Sequence, residues 1–259
     1  MSEKCLKLGV EAGVATLTLN RPDAGNAIDM AMADALLEAA ILCDEDAAIR
    51  CVVLTGVGRY FCVGGDVASF VSAGDALPRL TKSMTASLHM AVSRFARMNK
   101  PLITAINGPA AGAGLSLAML GDIALAAPSA HFTSAYTAIG FTPDGGLSYL
   151  LPRLVGLRKA QEMILTNNRV SAQDAAAIGL ITRVVEADLA AEASKLAASM
   201  AQQATGALGQ ARKLLLQTYG ESLEGQLEIE ARTIADASRA PHGREGVAAF
   251  VAKRPAKFE

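Results

Sequence analysis

The sequence predicts an α/β fold in which short buried strands alternate with helices and a helical region follows. Short apolar segments bounded by turn residues recur in the first two thirds of the chain, and stretches with helical periodicity separate them. After Ser171 the pattern becomes almost entirely helical. The 259 residues are 51% hydrophobic but only 4% aromatic, with no Trp, so Ala, Leu, Val and Gly must fill the core.

The predicted strands are of two kinds. The segment Val14–Leu19 alternates with period two and ends at the turn formed by residues 20–23. The others are short runs of mostly apolar residues, which is typical of buried strands. They cover residues 51–55, 101–106 and 122–126, and a further strand, which includes Thr182 and Arg183, is predicted over residues 181–185.

The predicted helices begin with one that Asp29 is placed to cap. It extends to about Cys43, because Met30, Ala33 and Leu36 fall at helical spacing. The later ones cover residues 79–98, 188–203, 207–219, 222–238 and 244–252. We therefore predict an α/β core over residues 1–200 and a helical C-terminal region over residues 201–259. The two form one cooperative unit, and the second is a candidate oligomer interface.

Composition argues against several classes of protein. A net charge of −1 with dispersed charges does not favour a nucleic-acid partner. The four cysteines form no CxxC pair and the three histidines are far apart, so we expect neither a metal site nor a disulfide framework. The N-terminus lacks the layout of a signal peptide, and no apolar run reaches the roughly 20 residues that a membrane span needs. We expect a cytoplasmic protein with no membrane partner.

Two glycine-containing segments are candidate functional loops. Residues 61–66 (FCVGGD) end at Asp66, where a helix can begin, and residues 107–114 (NGPAAGAG) lie between a predicted strand and an apolar helix. Free N–H groups at such places can form an oxyanion hole, worth roughly 3–4 kcal/mol per donor. The same glycines also suit tight turns and close packing, so composition alone leaves both interpretations open. Neither segment matches a nucleotide-binding loop, and residues 114–118 (GLSLA) lack the strand that a nucleophile elbow requires.

The third candidate is the segment TPDGG at residues 142–146. Pro-Asp-Gly-Gly is an ordinary turn sequence, and Asp144 is able to cap the helix that follows. Alternatively, Asp144 lies in a pocket, where apolar neighbours such as Phe141 would raise its basicity and suit it to act as a general base.

With these three segments in this order, the sequence resembles the enoyl-CoA hydratase/isomerase (crotonase) superfamily. The resemblance covers nearly the whole chain. It includes LNRP at 19–22, NA at 26–27, the three segments above, Asp122, PRLVG at 152–156, Ala175, GL at 179–180, EGVAAF at 245–250 and KR at 253–254. It implies a spiral of ββα turns with a helical C-terminal region that mediates trimers, often paired into hexamers.

The resemblance also implies a binding site for an acyl-CoA thioester. The N–H groups of Gly65 and Ala113 would hold the thioester carbonyl and stabilise the enolate charge that develops on it. The residues implied to contact coenzyme A are Ala24, Cys62, Gly64, Gly65, Asp66, Ala113 and Tyr136. The acyl group is expected to lie among Phe70, Val71, Met84, Leu88 and Tyr136. The resemblance implies no metal and no cofactor beyond the coenzyme A moiety of the substrate.

The departures from the family pattern direct the functional prediction. Hydratases of the family use two glutamates, and the matching positions here hold Ser116 and Tyr136. Asp144 matches the single acidic residue of the isomerase-like branches. One carboxylate suffices to move a proton between the α and γ carbons. We predict an isomerase that moves a C=C double bond from the Δ3 to the Δ2 position of an enoyl-CoA, or acts on a related ring-derived acyl-CoA.

Two alternatives stay open. In the 4-chlorobenzoyl-CoA dehalogenase branch an Asp at this position is a nucleophile and a His activates water, and Asp144 and His89 match those places. Tyr136 stands where that branch has an aromatic residue that assists the Asp, whereas Gly145-Gly146 is more similar to the isomerase loop. The other alternative is an acyl-CoA-binding protein without catalytic activity.

Overall fold

The strands form two sheets in the computed structural model, which describes residues 4–258. The strands in that range are β1 (Leu6–Glu11), β2 (Val14–Leu19), β3 (Cys51–Gly56), β4 (Leu102–Ile106), β5 (Ala110–Ala111), β6 (Ile123–Ala126), β7 (His131–Thr133), β8 (Val170–Ser171) and β9 (Arg183–Val184). The larger sheet has the order β1-β2-β3-β4-β6-β9 and is parallel apart from the β1–β2 hairpin. The smaller sheet has the order β5-β7-β8.

Helices follow the strands of both sheets. They are α1 (Met30–Glu45), α2 (Val67–Ala73), α3 (Leu77–Arg97), α4 (Ala113–Ala118), α5 (Leu147–Val155), α6 (Leu157–Thr166), α7 (Ala172–Ala177), α8 (Leu189–Ala201), α9 (Thr205–Gln217), α10 (Leu223–Arg239) and α11 (Pro241–Val251).

The chain repeats one unit as it moves across the two sheets. A strand of the larger sheet leads to a short extended segment beside the smaller sheet and then to a helix. The first such turn runs from β3 through Cys62, which bridges to Ala110, and on to α2 and α3. The next two are β4-β5-α4 and β6-β7-α5. The predicted spiral of ββα turns is therefore confirmed, and each turn brings the start of a helix to the same region.

The central strands of the larger sheet are buried on both faces. Val52 and Leu54 of β3 pack in the main core, whereas Cys51 and Val53 pack under α8, where Ala197 is fully buried. Since side chains alternate across a strand, both faces require apolar residues, and this explains the continuous apolar runs in the sequence. Small side chains on α8 let the helix lie close to the sheet.

Most predicted elements are confirmed, but one differs in length and several elements of the structure were not predicted. The strand β1 was not predicted, although Leu6, Leu8 and Val10 alternate along it. The strand predicted over residues 181–185 is wrong in length, because only Arg183 and Val184 pair with β6. The helix α6 and the short strands β5, β7 and β8 were also not predicted.

The last helices are attached to the core through a buried arginine. Arg212 of α9 donates to the carbonyls of Phe95, Met98 and Lys100 at 2.5–2.9 Å, and its Nε lies 2.6 Å from the carboxylate of Asp122. Two of these bonds satisfy the Phe95 and Met98 carbonyls at the C-terminal end of α3, which the helix itself leaves without partners. The division at residue 200 stays a prediction. Among residues 4–258, no helix has the length and apolar character needed to span a membrane.

Candidate functional site

A cavity of about 590 Å³ lies where the ββα turns converge. Its walls come from α2, α3, the two glycine segments and residues 135–144. The apolar side chains that line it are Ile28, Val63, Val67, Phe70, Leu77, Pro78, Met84, Leu88, Ala113, Ala135, Ile139 and Phe141. Within the described part of the chain, Asp144 is the one carboxylate among the lining residues. An apolar cavity with a few polar groups is the usual form of a small-molecule site.

The two glycine segments are paired directly with each other. Cys62 N–H donates to the carbonyl of Pro109, and Ala111 N–H donates to the carbonyl of Cys62. Gly114 lies against this pairing, since a Cβ there would stand 2.1 Å from the Cys62 carbonyl oxygen. Gly64 has φ +100° and lies against Gly112, which makes both positions unsuitable for larger residues. The close approach brings the backbone of both segments to one wall of the cavity.

Two backbone N–H groups on that wall have no partner. Neither Gly65 N–H nor Ala113 N–H donates to any acceptor within residues 4–258, and both residues line the cavity. Ala113 is the first residue of α4, where helical geometry leaves the N–H unused and the helix dipole favours negative charge. These are the features that an oxyanion site requires.

Asp144 is held by one of its two carboxylate oxygens. Tyr136 Oη donates to Asp144 Oδ1 at 2.5 Å, whereas Oδ2 has no hydrogen-bond donor in the described part of the chain. The Asp144 side chain keeps 28% of its surface exposed. One oxygen is thus fixed, and the other is free to exchange a proton with a ligand in the cavity.

Tyr136 is suited to act as a permanent donor. Burial of the phenol and the neighbouring Asp144 carboxylate raise its pKa far above the ordinary value. The phenol therefore stays protonated at any physiological pH and keeps donating to Asp144.

The interpretation of Asp144 as a helix cap is wrong. The helix α5 begins at Leu147, its N-cap is Gly146, and no side chain bonds there. The Asp144 carboxylate instead bonds to Tyr136, which is eight residues earlier in the chain. Of the two interpretations left open by the sequence, the structure retains the one in which Asp144 lies in the cavity.

Two further side chains contact the segment around Asp144. His89 Nε2 lies 3.7 Å from Asp144 Oδ2 and accepts the Gly145 N–H at 3.1 Å. Ser116 Oγ donates to the Asp144 carbonyl at 2.9 Å. Sequence reasoning placed His89 near Asp144 but assigned no role to Ser116. Neither contact has a local sequence signal, because the partners are 56 and 28 residues apart.

Three of the residues predicted to contact coenzyme A, namely Ala24, Gly64 and Cys62, differ in how they lie relative to the cavity. Ala24 is exposed at the end of a short 3₁₀ helix, next to Gly25, which packs against the cavity residue Val63. Gly64 lines the cavity, but Cys62 is fully buried behind it. Burial raises the pKa of the Cys62 thiol to about 12, so the thiol is inert. A contact of Ala24 or Cys62 with coenzyme A stays a prediction.

Asp66 lies behind the cavity wall, where it caps α2. Its Oδ1 accepts the N–H groups of Ala68 and Ser69, and its Oδ2 accepts from Arg21 at 2.8 Å. The Arg21 guanidinium lowers the pKa of the Asp66 carboxyl below its ordinary value. The contacts are those of a helix cap, the role that the residue order predicted. Its predicted contact with coenzyme A is untested.

We expect Asp66→Asn to lower the free energy of unfolding by about 1.5–3 kcal/mol at neutral pH, the usual contribution of a hydrogen bond to a charged group. Asn keeps the cap but loses the ion pair. The pKa of Asp66 is depressed in the folded protein, so its stabilisation is complete above the ordinary pKa and declines as the pH falls through the folded-state pKa. Urea unfolding at stepwise lower pH should therefore show the wild type approaching the variant. The exposed Asp75→Asn is the control, and a difference that persisted in acid would contradict the assignment.

The predicted acyl-binding residues line the cavity with one exception. Phe70, Met84, Leu88 and Tyr136 all face it, whereas the assignment of Val71 is wrong, since Val71 is 77% exposed on the far side of α2. Consecutive residues of an α-helix point about 100° apart, so Val71 turns away from the cavity when Phe70 faces it. Phe70 also packs against Phe141, with ring centroids 5.7 Å apart.

Comparison with known proteins places this cavity in a family. A profile of the enoyl-CoA hydratase/isomerase family matches residues 9–259. The chain belongs to this family. It is 41% identical to the 1,2-epoxyphenylacetyl-CoA isomerase of Escherichia coli K12, with 96% of each chain covered. It is 33% identical to a 4-chlorobenzoyl coenzyme A dehalogenase of an Arthrobacter species, over 93% of this chain and 88% of the relative.

The fold is that of the family as well. The crystal structure of an enoyl-CoA hydratase from Polaromonas sp. JS666 superimposes with a TM-score of 0.93 and 32% identity, over 98% of this chain and 99% of that one. The crotonase-like fold expected from the sequence is confirmed. The relatives that the chain resembles are named for three different reaction types, so membership of the family does not select among these activities.

Among residues 4–258 of this enoyl-CoA hydratase/isomerase fold, no second carboxylate lines the cavity. The two positions at which the resemblance places hydratase glutamates are Ser116, which is 1% exposed, and Tyr136. Both side chains are bonded to the segment around Asp144 rather than left free. Within residues 4–258, no three His, Cys, Asp or Glu side chains are grouped so as to hold a metal ion.

Proposed function

We propose that the protein is an acyl-CoA isomerase in which Asp144 moves a proton along the acyl chain while an oxyanion hole holds the enolate. The observation that carries the proposal is the single carboxylate of the cavity, anchored through Oδ1 by Tyr136 and free at Oδ2. The two unpartnered N–H groups on the same cavity support it. Addition of water to a double bond by paired carboxylates would require a second carboxylate in the cavity. Asp144 is the one carboxylate among the described lining residues.

The reaction is a proton transfer in two steps. Asp144 Oδ2 removes a proton from the α carbon of a 3-enoyl thioester, and the electron pair moves into a dienolate whose oxygen accepts from Gly65 and Ala113 N–H. The protonated Asp144, whose partly exposed carboxyl group can exchange its proton with solvent, then delivers a proton to the γ carbon, which leaves the double bond at the 2 position. The carboxyl returns to its starting state. Because no electrons are gained or lost, neither step of the reaction requires a redox group.

The substrate is an acyl-CoA thioester, either a linear enoyl chain or a ring-derived acyl group. The tilted pair Phe70 and Phe141 and the other apolar side chains suit both. The 41% identity to a relative named for an epoxyphenylacetyl-CoA substrate favours the ring-derived class.

We also propose that the protein is a homotrimer or a pair of trimers, assembled through its C-terminal helices. Large apolar side chains are exposed along these helices. They include Leu215, Leu223, Leu227, Ile234, Val247 and Phe250, which are 54–85% exposed. Patches of this kind on a soluble surface mark protein contacts.

The test is an NMR assay of the wild type in heavy water with a 3-enoyl-CoA, a 2-enoyl-CoA, a ring-derived acyl-CoA and a 4-haloaryl-CoA. An isomerase should convert the 3-enoyl or ring-derived substrate and exchange deuterium at the α or γ carbon. Conversion of the 2-enoyl substrate to a 3-hydroxy product as the main activity would overturn the proposal in favour of a hydratase. Halide release, with solvent oxygen entering Asp144, would indicate the dehalogenase alternative. Binding without exchange would indicate a non-catalytic protein.

A further inference from the structure

The peptide group between Asp144 and Gly145 is held at both of its polar ends by side chains. Its carbonyl accepts from Ser116 Oγ at 2.9 Å, and its N–H donates to His89 Nε2 at 3.1 Å. Ser116 belongs to α4 and His89 to α3, so two helices fix the rotation of one peptide plane. Ser116 is almost fully buried, and Gly145 is buried as well.

The backbone at residues 145–146 loses more conformational entropy on folding than most dipeptides, because both residues are glycine. Gly145 has φ +58° and Gly146 has φ +85°, both in the left-handed region. Two consecutive glycines are the most flexible pair in an unfolded chain, and a Cβ at Gly145 would stand 2.9 Å from Ser116 Cβ. The turn has one backbone hydrogen bond of its own, from Leu147 N–H to the Asp144 carbonyl at 3.1 Å, and the contacts from Ser116 and His89 add to it from outside the turn.

The contact with Gly145 also defines the state of the imidazole. Because His89 Nε2 accepts an N–H, it carries a lone pair and no proton, so the proton of the neutral ring is on Nδ1. The Nε2 lone pair is then engaged by the backbone, 3.7 Å from Asp144 Oδ2. In this arrangement Nε2 is not available to deprotonate a water molecule.

We propose that His89 and Ser116 are positioning residues that clamp the Asp144–Gly145 peptide and so set the direction of the Asp144 carboxylate. The inference rests on the proposed function, in which Asp144 exchanges the proton. His89 acts through the backbone of the loop and does not act as a base. A displacement of about 1 Å of a catalytic group can cost roughly 10²-fold in rate, so the clamp should have a measurable effect on kcat.

The experiment compares His89→Gln with His89→Leu. The Gln amide oxygen can take the place of Nε2 as acceptor for Gly145 N–H, but an amide cannot act as a base. Leu has neither property. We expect His89→Leu to lower kcat by up to about 10²-fold with little change in KM, because the acyl-CoA contacts are untouched. We expect His89→Gln to recover most of that loss. Equal inactivity of both variants, or full activity of His89→Leu, would overturn the clamp.

A second readout does not depend on turnover. In protein labelled with ¹⁵N-histidine, the ring signals of His89, assigned by their loss in His89→Gln, should show the tautomer protonated at Nδ1 at neutral pH. A ring protonated at Nε2, or at both nitrogens, would overturn the proposal even if no substrate were turned over. Thermal melting of each variant checks that the fold is intact, with His131→Leu as a control for an imidazole outside the cavity.

The variants also separate this inference from the proposed function. If Asp144→Asn is fully active, the proposed function fails whatever His89 does. If Asp144→Asn is inactive and His89→Leu is fully active, only the clamp fails. Since Ser116 and His89 hold the same peptide, the losses in Ser116→Ala and His89→Leu should combine non-additively. Strictly additive losses would contradict a shared role.

Discussion

Replacing Asp144 by Asn is expected to lower kcat for isomerisation by about 10²- to 10⁴-fold, the usual contribution of a general acid–base residue. Asn has nearly the shape of Asp, and its carbonyl oxygen can still accept from Tyr136, which now bonds Oδ1 at 2.5 Å. The amide cannot take up a proton at the position of Oδ2. The variant therefore loses the chemical step while the fold and the cavity persist.

The measurement is the rate of double-bond migration together with deuterium entry at the α and γ carbons. Binding of the acyl-CoA should be retained within a few fold, which a titration of the variant would show. Glu38→Gln is the matched control, because Glu38 is exposed on α1 and lies outside the cavity. If Asp144→Asn turned over at the wild-type rate, another group would have to carry the proton, and the assignment of Asp144 would be wrong.

The second large effect is expected for Ala113→Pro, which removes a backbone N–H. Loss of one oxyanion donor elsewhere lowers kcat by about 10²- to 10³-fold, so a reduction of at least that size is expected here. The ring also places Cδ where the thioester oxygen would approach, which adds to the loss. No side-chain substitution tests the same group, since the donor is the backbone itself.

The structure indicates that proline fits at this position. Ala113 is the first residue of α4, where proline is well tolerated because the helix does not use that N–H. The preceding residue, Gly112, has ψ −128°, well away from the helical values that a following proline disfavours. The folded state should therefore survive the substitution.

Ala113→Gly is the matched control, because it keeps the N–H while changing the side chain. We expect Ala113→Gly to retain most of the wild-type kcat, and Ala113→Pro to lose it with an unchanged melting temperature. An active Ala113→Pro variant would show that the thioester oxygen is held elsewhere. A variant that no longer folds would instead contradict the helical geometry assigned to Ala113.

The predictions from sequence were most accurate where a pattern reflects burial directly. The runs at β3, β4 and β6 are mostly apolar because both faces of these strands are covered, and their bounds were predicted to within one residue. Asp29 accepts a backbone N–H at the start of α1, as predicted, and Asp188 and Ser222 do the same at the starts of α8 and α10. The strand predicted over residues 181–185 was shorter, since pairing and not composition limits a strand at the sheet edge.

The sequence predicted which segments form the candidate site, but not the hydrogen bonds that join them. Glycines at 64, 65, 112 and 114 indicated loops that a ligand can approach, and the order of the motifs indicated the family. The tertiary structure corrected the assignment of Val71, which faces solvent, and excluded Asp144 as a helix cap. For both residues, the local sequence pattern was compatible with more than one direction of the side chain.

By itself, the sequence determined the α/β class, the main strands and helices, the family and the residues able to do the chemistry. These depend on residue type and spacing within a few positions, so they are visible along the chain. Only the tertiary structure decided that one carboxylate oxygen of Asp144 accepts from Tyr136 while the other has no donor in the described part of the chain. It also decided that His89 and Ser116 bond to the peptide group between Asp144 and Gly145. Their contacts join residues 56 and 28 positions apart, and such contacts follow from how the ββα turns stack. The packing of one turn on the next is set by the summed burial of many side chains, and no single motif encodes it.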